Sequence, residues 1–315
     1  MERAVTLAGT DLQAPLFLCR ADSSTAVKQN LESGTSQWLE PVALADNLYY
    51  VGNRFVGVFV LRTSKGLILF DSSSSADEAR DHLVPGLRRL GLDPGTIKYV
   101  VVTHGHWDHY GGAKFLQATY GARVALSAAD WDLIEKLPAN SLESSNHPIP
   151  VRDLVIQDGQ RLELGDTTVT LYLTPGHTPG TVSAIVPVRS GGKAHPLSLF
   201  GSVAFPPTFG PTERTGGLRK YDESVLRFAQ VSAAASAEGI LNTHIFADGT
   251  YERILRLPPR TGDASNPLLA GAAFTRRYYA ILQECLQAAL LRPEGSNDWS
   301  KPSTPAPVTS QAVGP

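Results

Sequence analysis

The segment THGHWDHYGG (Thr103–Gly112) places His104, His106, Asp108 and His109 within six consecutive positions. Neutral imidazoles and a carboxylate are the side chains that hold zinc, at roughly 2.0–2.2 Å from the metal. Residues two apart in extended chain point the same way, so His104 and His106 can address one ion. Asp108 and His109, at the turn that follows, can address a second. A catalytic zinc keeps three protein ligands and an open position for water. Two ions therefore need six ligands, and the segment supplies four. His177, in the turn-rich TPGHTPG, and His244, in LNTHIFADG, each sit at the end of a β-like run and are the candidates for the other two. His82, His147 and His195 lie on a helix face or in polar loops and are set aside.

These side chains need elements that hold them still, and the hydropathy pattern supplies them. Ile97–Thr103 is a continuous apolar run of the kind buried in a sheet, and the metal-binding segment follows it directly. Val42–Val51, Phe55–Thr63 and Gly66–Asp71 read as a β meander. Ser75–Gly91 reads as a helix bent at Pro85. Gly112–Tyr120 and Ser127–Leu137 read as further helices, the second capped by Ser127 with Asp130 three residues on. Thr167–Thr174, Thr181–Pro187 and Pro196–Phe200 read as strands, with Ser190–His195 as a hairpin loop. Asp222–Glu238 reads as a helix, Ile240–Thr243 as a short strand, and Gly271–Leu291 as the last helix. Strand blocks precede helical blocks twice, which suggests an αββα sandwich of two mixed sheets flanked by helices. Periodicity by itself supports α/β or α+β.

The chain has 315 residues, 42% hydrophobic and 18% charged, with net charge −2, which suits a globular domain and shows no basic face for nucleic acid. No run is long enough to span a membrane. No secretory leader is read at the N-terminus, and Cys19 and Cys285, at opposite ends, suit a reduced compartment. The expectation is therefore a cytoplasmic protein. Three segments are expected: a loosely structured lead-in, 1–37; a catalytic domain, 38–291; and a disordered Pro/Ser/Thr-rich tail, 292–315. The partner expected is a small-molecule substrate, with neither nucleic acid nor membrane; oligomeric state is not legible.

THGHWDHYGG followed by LTPGHTPGT resembles the metallo-β-lactamase superfamily, over roughly Trp38 to Leu291. The resemblance implies an αββα fold with a dinuclear metal site between the sheets. His104, His106 and His177 would hold the first zinc, and Asp108, His109 and His244 the second. Asp71, in GLILFDS, matches a buried aspartate that ends an early strand and would hold the ligand loop. Many members, such as glyoxalase II-like and ribonuclease-like hydrolases, carry an aspartate that bridges both metals. Here SLFGSVAFP puts Ser202 at that place, which resembles the third subclass of metallo-β-lactamases, without bridging carboxylate or cysteine.

The chemistry implied is hydrolysis of an acyl bond by a metal-bound hydroxide, since zinc lowers the pKa of water from about 15.7 to near 7. Asp108 would orient that hydroxide and shuttle a proton. Ser202 could bond a substrate carboxylate or a metal-bound water. Trp107 and Tyr110 flank ligands and either line the cleft or pack in the core. The bond could be a lactam or amide, a lactone or ester of a secondary metabolite, or a thioester. A mononuclear iron persulfide dioxygenase uses the same motif and is the rival of another class. Specificity is expected from loops around Arg54, 138–150 and 205–220.

Overall fold

The computed structural model describes residues 1–20, 23–35, 37–137, 147–202, 204–205, 211–257 and 266–291. The sequence-expected tail from residue 292, residues 138–146 of one expected specificity loop and residues 206–210 of another lie outside the described residues; from Pro211 the second is not a loop but the start of the helix Pro211–Ala234.

Twelve described strands make two sheets. The first has seven strands in sequence order: β1 (Val42–Ala43), β2 (Leu48–Gly52), β3 (Gly57–Thr63), β4 (Gly66–Phe70), β5 (Ile97–Val101), β6 (Arg123–Ser127) and β7 (Leu154–Ile156). Neighbours are antiparallel up to β4 and parallel from β4 to β7. The second sheet runs β12 (Ile240–Leu241), β11 (Lys193–Leu199), β10 (Val182–Ser190), β9 (Thr167–Leu173) and β8 (Gln160–Leu164), antiparallel except for β11–β12.

The alternation of side chains explains the layering. Tyr50, Phe59, Leu61, Ile68 and Phe70 of the first sheet meet Val169, Leu171, Ala184, Val186 and Leu199 of the second in one buried cluster. The intervening residues, Val51, Val58, Val60, Leu67 and Leu69, face the opposite way under the helices that contribute Leu83, Leu87, Leu116 and Ile134. The outer face of the second sheet is covered by Pro211–Ala234 and Ala272–Leu290, with Phe200, Phe228, Tyr279 and Leu282 between them. The fold is thus helix–sheet–sheet–helix, as expected. Burying a large aliphatic or aromatic side chain is worth about 1.5–3 kcal/mol, so each of these three apolar layers strongly favours this arrangement.

Local expectations are met with adjustments. Residues 76–89 are helical as expected, but a π turn at Ala79–Leu83 precedes Val84–Arg89, whose first turn holds Pro85. The widened turn accommodates the missing proline N–H. Gly191 and Gly192, at φ 58° and 76°, make the hairpin turn alone, so β11 starts at Lys193 and His195 pairs with Val188 inside the strand.

Two expectations fail. The lead-in at 1–37 is not loosely structured: Glu2–Ala8 and Ser23–Gly34 are α-helical and Ala14–Cys19 is a 3-10 helix. Ala4, Ala8, Leu12 and Leu18 pack into the cluster formed by the last helix. These apolar positions are too few and too irregular in spacing to reveal the helices without their docking surface. The cysteines are not a free pair either, because Cys19 and Cys285 form a disulfide between that lead-in and the last helix. Their separation of 266 residues in sequence hid their proximity.

Candidate metal centre

The site lies at the carboxyl end of β5, where the chain leaves the first sheet beside loops of the second. Immediately before it, Asp71 ends β4 in the left-handed region at φ 67°, which aspartate tolerates better than most residues. Its carboxylate is buried and reaches across to β5. Oδ1 accepts from Thr103 N–H at 2.7 Å, and Oδ2 accepts from Thr103 Oγ1 at 3.1 Å and from His109 Nδ1 at 2.6 Å. The Ser72 hydroxyl donates to the His109 carbonyl at 2.7 Å, and Gly112 N–H donates to Ser73 O at 3.2 Å. Gly112 is required by this packing, since a Cβ there would lie 2.0 Å from Ser72 O.

All six sequence-expected ligands converge as two triads, His104–His106–His177 and Asp108–His109–His244, with the ligand atoms of each within 4.8 Å of one another. The triads adjoin: the rings of His104 and His109 are 3.8 Å apart between centroids. His106 Nδ1 and His177 Nε2 are 3.0 Å apart, and His109 Nε2 and His244 Nε2 are 3.1 Å apart. Asp108 Oδ2 lies 3.4 Å from His109 Nε2 and 3.5 Å from His244 Nε2.

The outer nitrogens of His104, His177 and His244 are each committed to a backbone carbonyl, as that of His109 is to Asp71. His104 Nδ1 donates to Gly201 O at 3.0 Å, His177 Nδ1 to Ala204 O at 2.9 Å, and His244 Nδ1 to Phe55 O at 3.1 Å. With the proton held on Nδ1, the neutral ring presents its Nε2 lone pair inward. His104 Nε2 is buried with no hydrogen-bond partner among the described residues. An orphaned lone pair costs about 1–3 kcal/mol, and the His109 and His244 Nε2 atoms face each other at a distance that a proton on His109 bridges in the metal-free site. Convergent imidazole nitrogens with one carboxylate are the donor set of a divalent cation of zinc type, so the residues present fit the metal that the fold implies.

Electrostatics agree with ligand chemistry. Burial, reinforced by neighbouring imidazoles, pulls His104 and His177 well below the ordinary histidine range. Burial and the charge of His109 bring His244 down to about 4, so all three are neutral donors at neutral pH. Burial opposes charge on His109 too, but the carboxylates of Asp108 and Asp71 outweigh it and push its pKa up to about 10. Asp108 is held well below the carboxylate range: burial opposes this, and His109, His244 and His106 overcome it.

Other expected site residues separate. Asp71 takes the supporting position, holding His109 and not a ligand position. Ser202 belongs to neither triad; its hydroxyl is buried without a hydrogen-bond partner among the described residues, while its carbonyl accepts from Tyr221 OH at 2.8 Å. Trp107 is half-buried and stacks on His147 at 4.7 Å. Tyr110 does not line a cleft: it is fully buried in the layer between the first sheet and its helices. His82 stacks on Trp38, and His195 pairs with Glu238 at 3.0 Å, both outside the triads. Sequence reasoning missed Asp130 as part of the site. It was legible only as a helix-capping partner, and it accepts hydrogen bonds from both ligand loops.

Known proteins share parts of this sequence and this fold. A profile described as the Metallo-beta-lactamase superfamily matches residues 51–190. The subclass B3 metallo-β-lactamase BJP-1 of Bradyrhizobium japonicum superposes with a TM-score of 0.68 at 26% identity, covering 82% of this chain and 96% of that one. A metallo-β-lactamase of Cronobacter sakazakii superposes at 0.66 with 26% identity, over 81% and 96%. The hydroxyacylglutathione hydrolase of Pseudomonas aeruginosa strain LESB58 is 32% identical over 106 residues, 34% of this chain and 33% of that protein. The chain thus spans about a third of the length of such curated relatives. No described helix is long and apolar enough to cross a membrane. The sandwich of two mixed sheets, the paired ligand triads and these matches show that the chain carries a metallo-β-lactamase superfamily domain.

Proposed function

We propose that this protein is a dinuclear zinc hydrolase that cleaves an acyl bond of a small molecule, with a β-lactam amide as the first substrate class to test. One observation carries the reading: six ligand groups converge as two complete triads around inward-facing imidazole nitrogens, one of which, His104 Nε2, is buried without a hydrogen-bond partner among the described residues. His104, His106 and His177 would hold one ion, and Asp108, His109 and His244 the other. Divalent cations there supply Lewis-acid polarisation of a carbonyl and acidify a water molecule. The protein's own part is orientation. The backbone carbonyls of Gly201, Ala204 and Phe55 fix three imidazoles, and Asp71 fixes a fourth. Asp108 stays anionic, so it holds water by accepting a hydrogen bond, and once protonated it gives the proton readily to the leaving atom. His106 and His177 are only half-buried, which leaves a side open to a ligand.

The two triads share no residue. That supports the lactamase-like arrangement, and the broad superposition on subclass B3 enzymes points the same way. The shorter match to hydroxyacylglutathione hydrolases keeps a thioester as the second reading, with a lactone or ester beside it. The compartment is better read as oxidising than as the cytoplasm expected from free cysteines, because a bridged pair persists where thiols are not kept reduced. Purified protein assayed against β-lactam, lactone and thioester reporters, with elemental analysis, tests the proposal. About two zinc per chain and loss of turnover with chelator are expected. Stoichiometric iron with oxygen-dependent turnover of a persulfide would overturn it.

A further inference from the structure

The three ligands of the first triad come from two loops, one after β5 in the first sheet and one between β9 and β10 in the second. Backbone connectivity alone does not fix the distance between those loops. A backbone hydrogen bond from Val182 N–H to Thr103 O at 2.7 Å joins their bases, and one carboxylate joins them beside the ligands. Asp130, in the helix Ala128–Glu135, is 1% exposed. Its Oδ2 accepts from Gly105 N–H at 2.8 Å, the residue between His104 and His106, and from Thr178 Oγ1 at 2.7 Å, the residue after His177. Its Oδ1 accepts from Gly180 N–H at 2.8 Å.

The surroundings are built for this contact. Asp130 N–H itself donates to Ser127 Oγ at 3.2 Å, which anchors the helix start. A Cβ at Gly180 would lie 1.9 Å from Ser127 Oγ and 2.8 Å from Asp130 Oδ1, so only glycine allows the approach. All three partners of the carboxylate are neutral donors. An anion buried among neutral groups carries a large desolvation cost, and helix capping does not require it, since the Ser127 hydroxyl already caps this helix. What a carboxylate does here, and an amide does not, is accept from three converging donors at once.

We propose that Asp130 is the positioning residue of the first metal site. It locks the HGH loop to the TPGHTPG loop through Gly105, Thr178 and Gly180, and so sets the metal affinity of the His104–His106–His177 triad. The second triad takes its support from Asp71 instead. This inference rests on the metal-site reading above.

The test uses the full chain with zinc alone as probe, titrated against a chromophoric chelator, and cobalt(II) absorption as a second readout. Asp130→Asn places an NH2 group against donors, and first-site affinity should fall about 10- to 100-fold, the usual effect of losing such outer support. Thr178→Val removes one of the three bonds with little change of shape and should shift the first site in the same direction by less. The second site should keep its native affinity in both variants, and the cobalt(II) spectrum should change only in the bands of the first site. Native first-site affinity in both variants would overturn the proposal, as would equal weakening of both sites. A native protein that binds no zinc at all would instead overturn the metal-site reading itself, and this inference with it.

Discussion

Asp71→Asn tests the logic of the second triad with a minimal change of shape. Asparagine tolerates the left-handed backbone at φ 67° as aspartate does, so the strand end should persist. The carboxylate uses both oxygens, Oδ1 for Thr103 N–H and Oδ2 for Thr103 Oγ1 and His109 Nδ1. With one oxygen left, the amide keeps the backbone bond and turns its NH2 toward His109. That ring must then carry its proton on Nε2, the atom that faces Asp108 and His244, and it no longer offers a lone pair to a metal. A hydrogen bond to a charged group contributes about 1.5–3 kcal/mol. At about 1.4 kcal/mol per tenfold, that is roughly a 10- to 150-fold loss of second-site affinity. The first triad, whose His104 and His177 are held by carbonyl acceptors and whose loops are held by Asp130, should be unchanged. Chelator competition resolves two binding steps, and metal content after dialysis should fall from about two zinc to one. Retention of both metals at native affinity would refute the tautomer argument. Equal loss from both sites would show that Asp71 holds the loop and not the ring.

Three further outcomes are expected. His177→Ala should weaken the first site and His244→Ala the second with the fold intact, whereas His195→Ala, which only pairs with Glu238, should leave metal content and turnover as they are; elemental analysis decides each. Cys19→Ser should lower stability by about 2–5 kcal/mol, because the bridge closes a very long loop; denaturant unfolding of native and variant protein measures it, and identical midpoints would mean that no bridge forms in solution. Zinc loading of metal-free protein at pH 8 should release about one proton per second-site metal. The sign follows from His109, whose pKa is raised to about 10: its stabilising contribution is full below the ordinary histidine pKa and is lost as pH rises through about 10, so at pH 8 the proton is still there to be expelled. His244, lowered to about 4, has none to give at that pH, and the stability it contributes to metal-free protein declines as pH falls from the ordinary histidine value toward 4. Calorimetric titration in two buffers of different ionisation enthalpy reads the proton count, and a count of zero would refute the assignment.

The sequence alone was enough to single out the six candidate ligands that the fold brings together, because ligand chemistry restricts residue type and strand ends restrict position. His104, His106, Asp108 and His109 follow an apolar strand, and His177 and His244 each lie in a loop that follows another. The layered fold was legible through the resemblance; periodicity left α/β and α+β open, because β2 to β4 are apolar on both faces and carry no alternation. Whatever depends on packing between distant segments was not legible. Tyr110 and Trp107 are equivalent on paper as neighbours of ligands, and packing in the layer between the first sheet and its helices buries the first and leaves the second half-buried. The lead-in has too weak a pattern to predict helices, which form where Leu12 and Leu18 find the last helix and Cys19 finds Cys285. The supports of the site were hidden most completely. His104 is held by a carbonyl 97 residues away, His109 by a carboxylate 38 residues away, and Thr178 by one 48 residues away. A hydrogen bond over such separations has no local signature, since it exists only once the two sheets have packed and brought its donor and acceptor together.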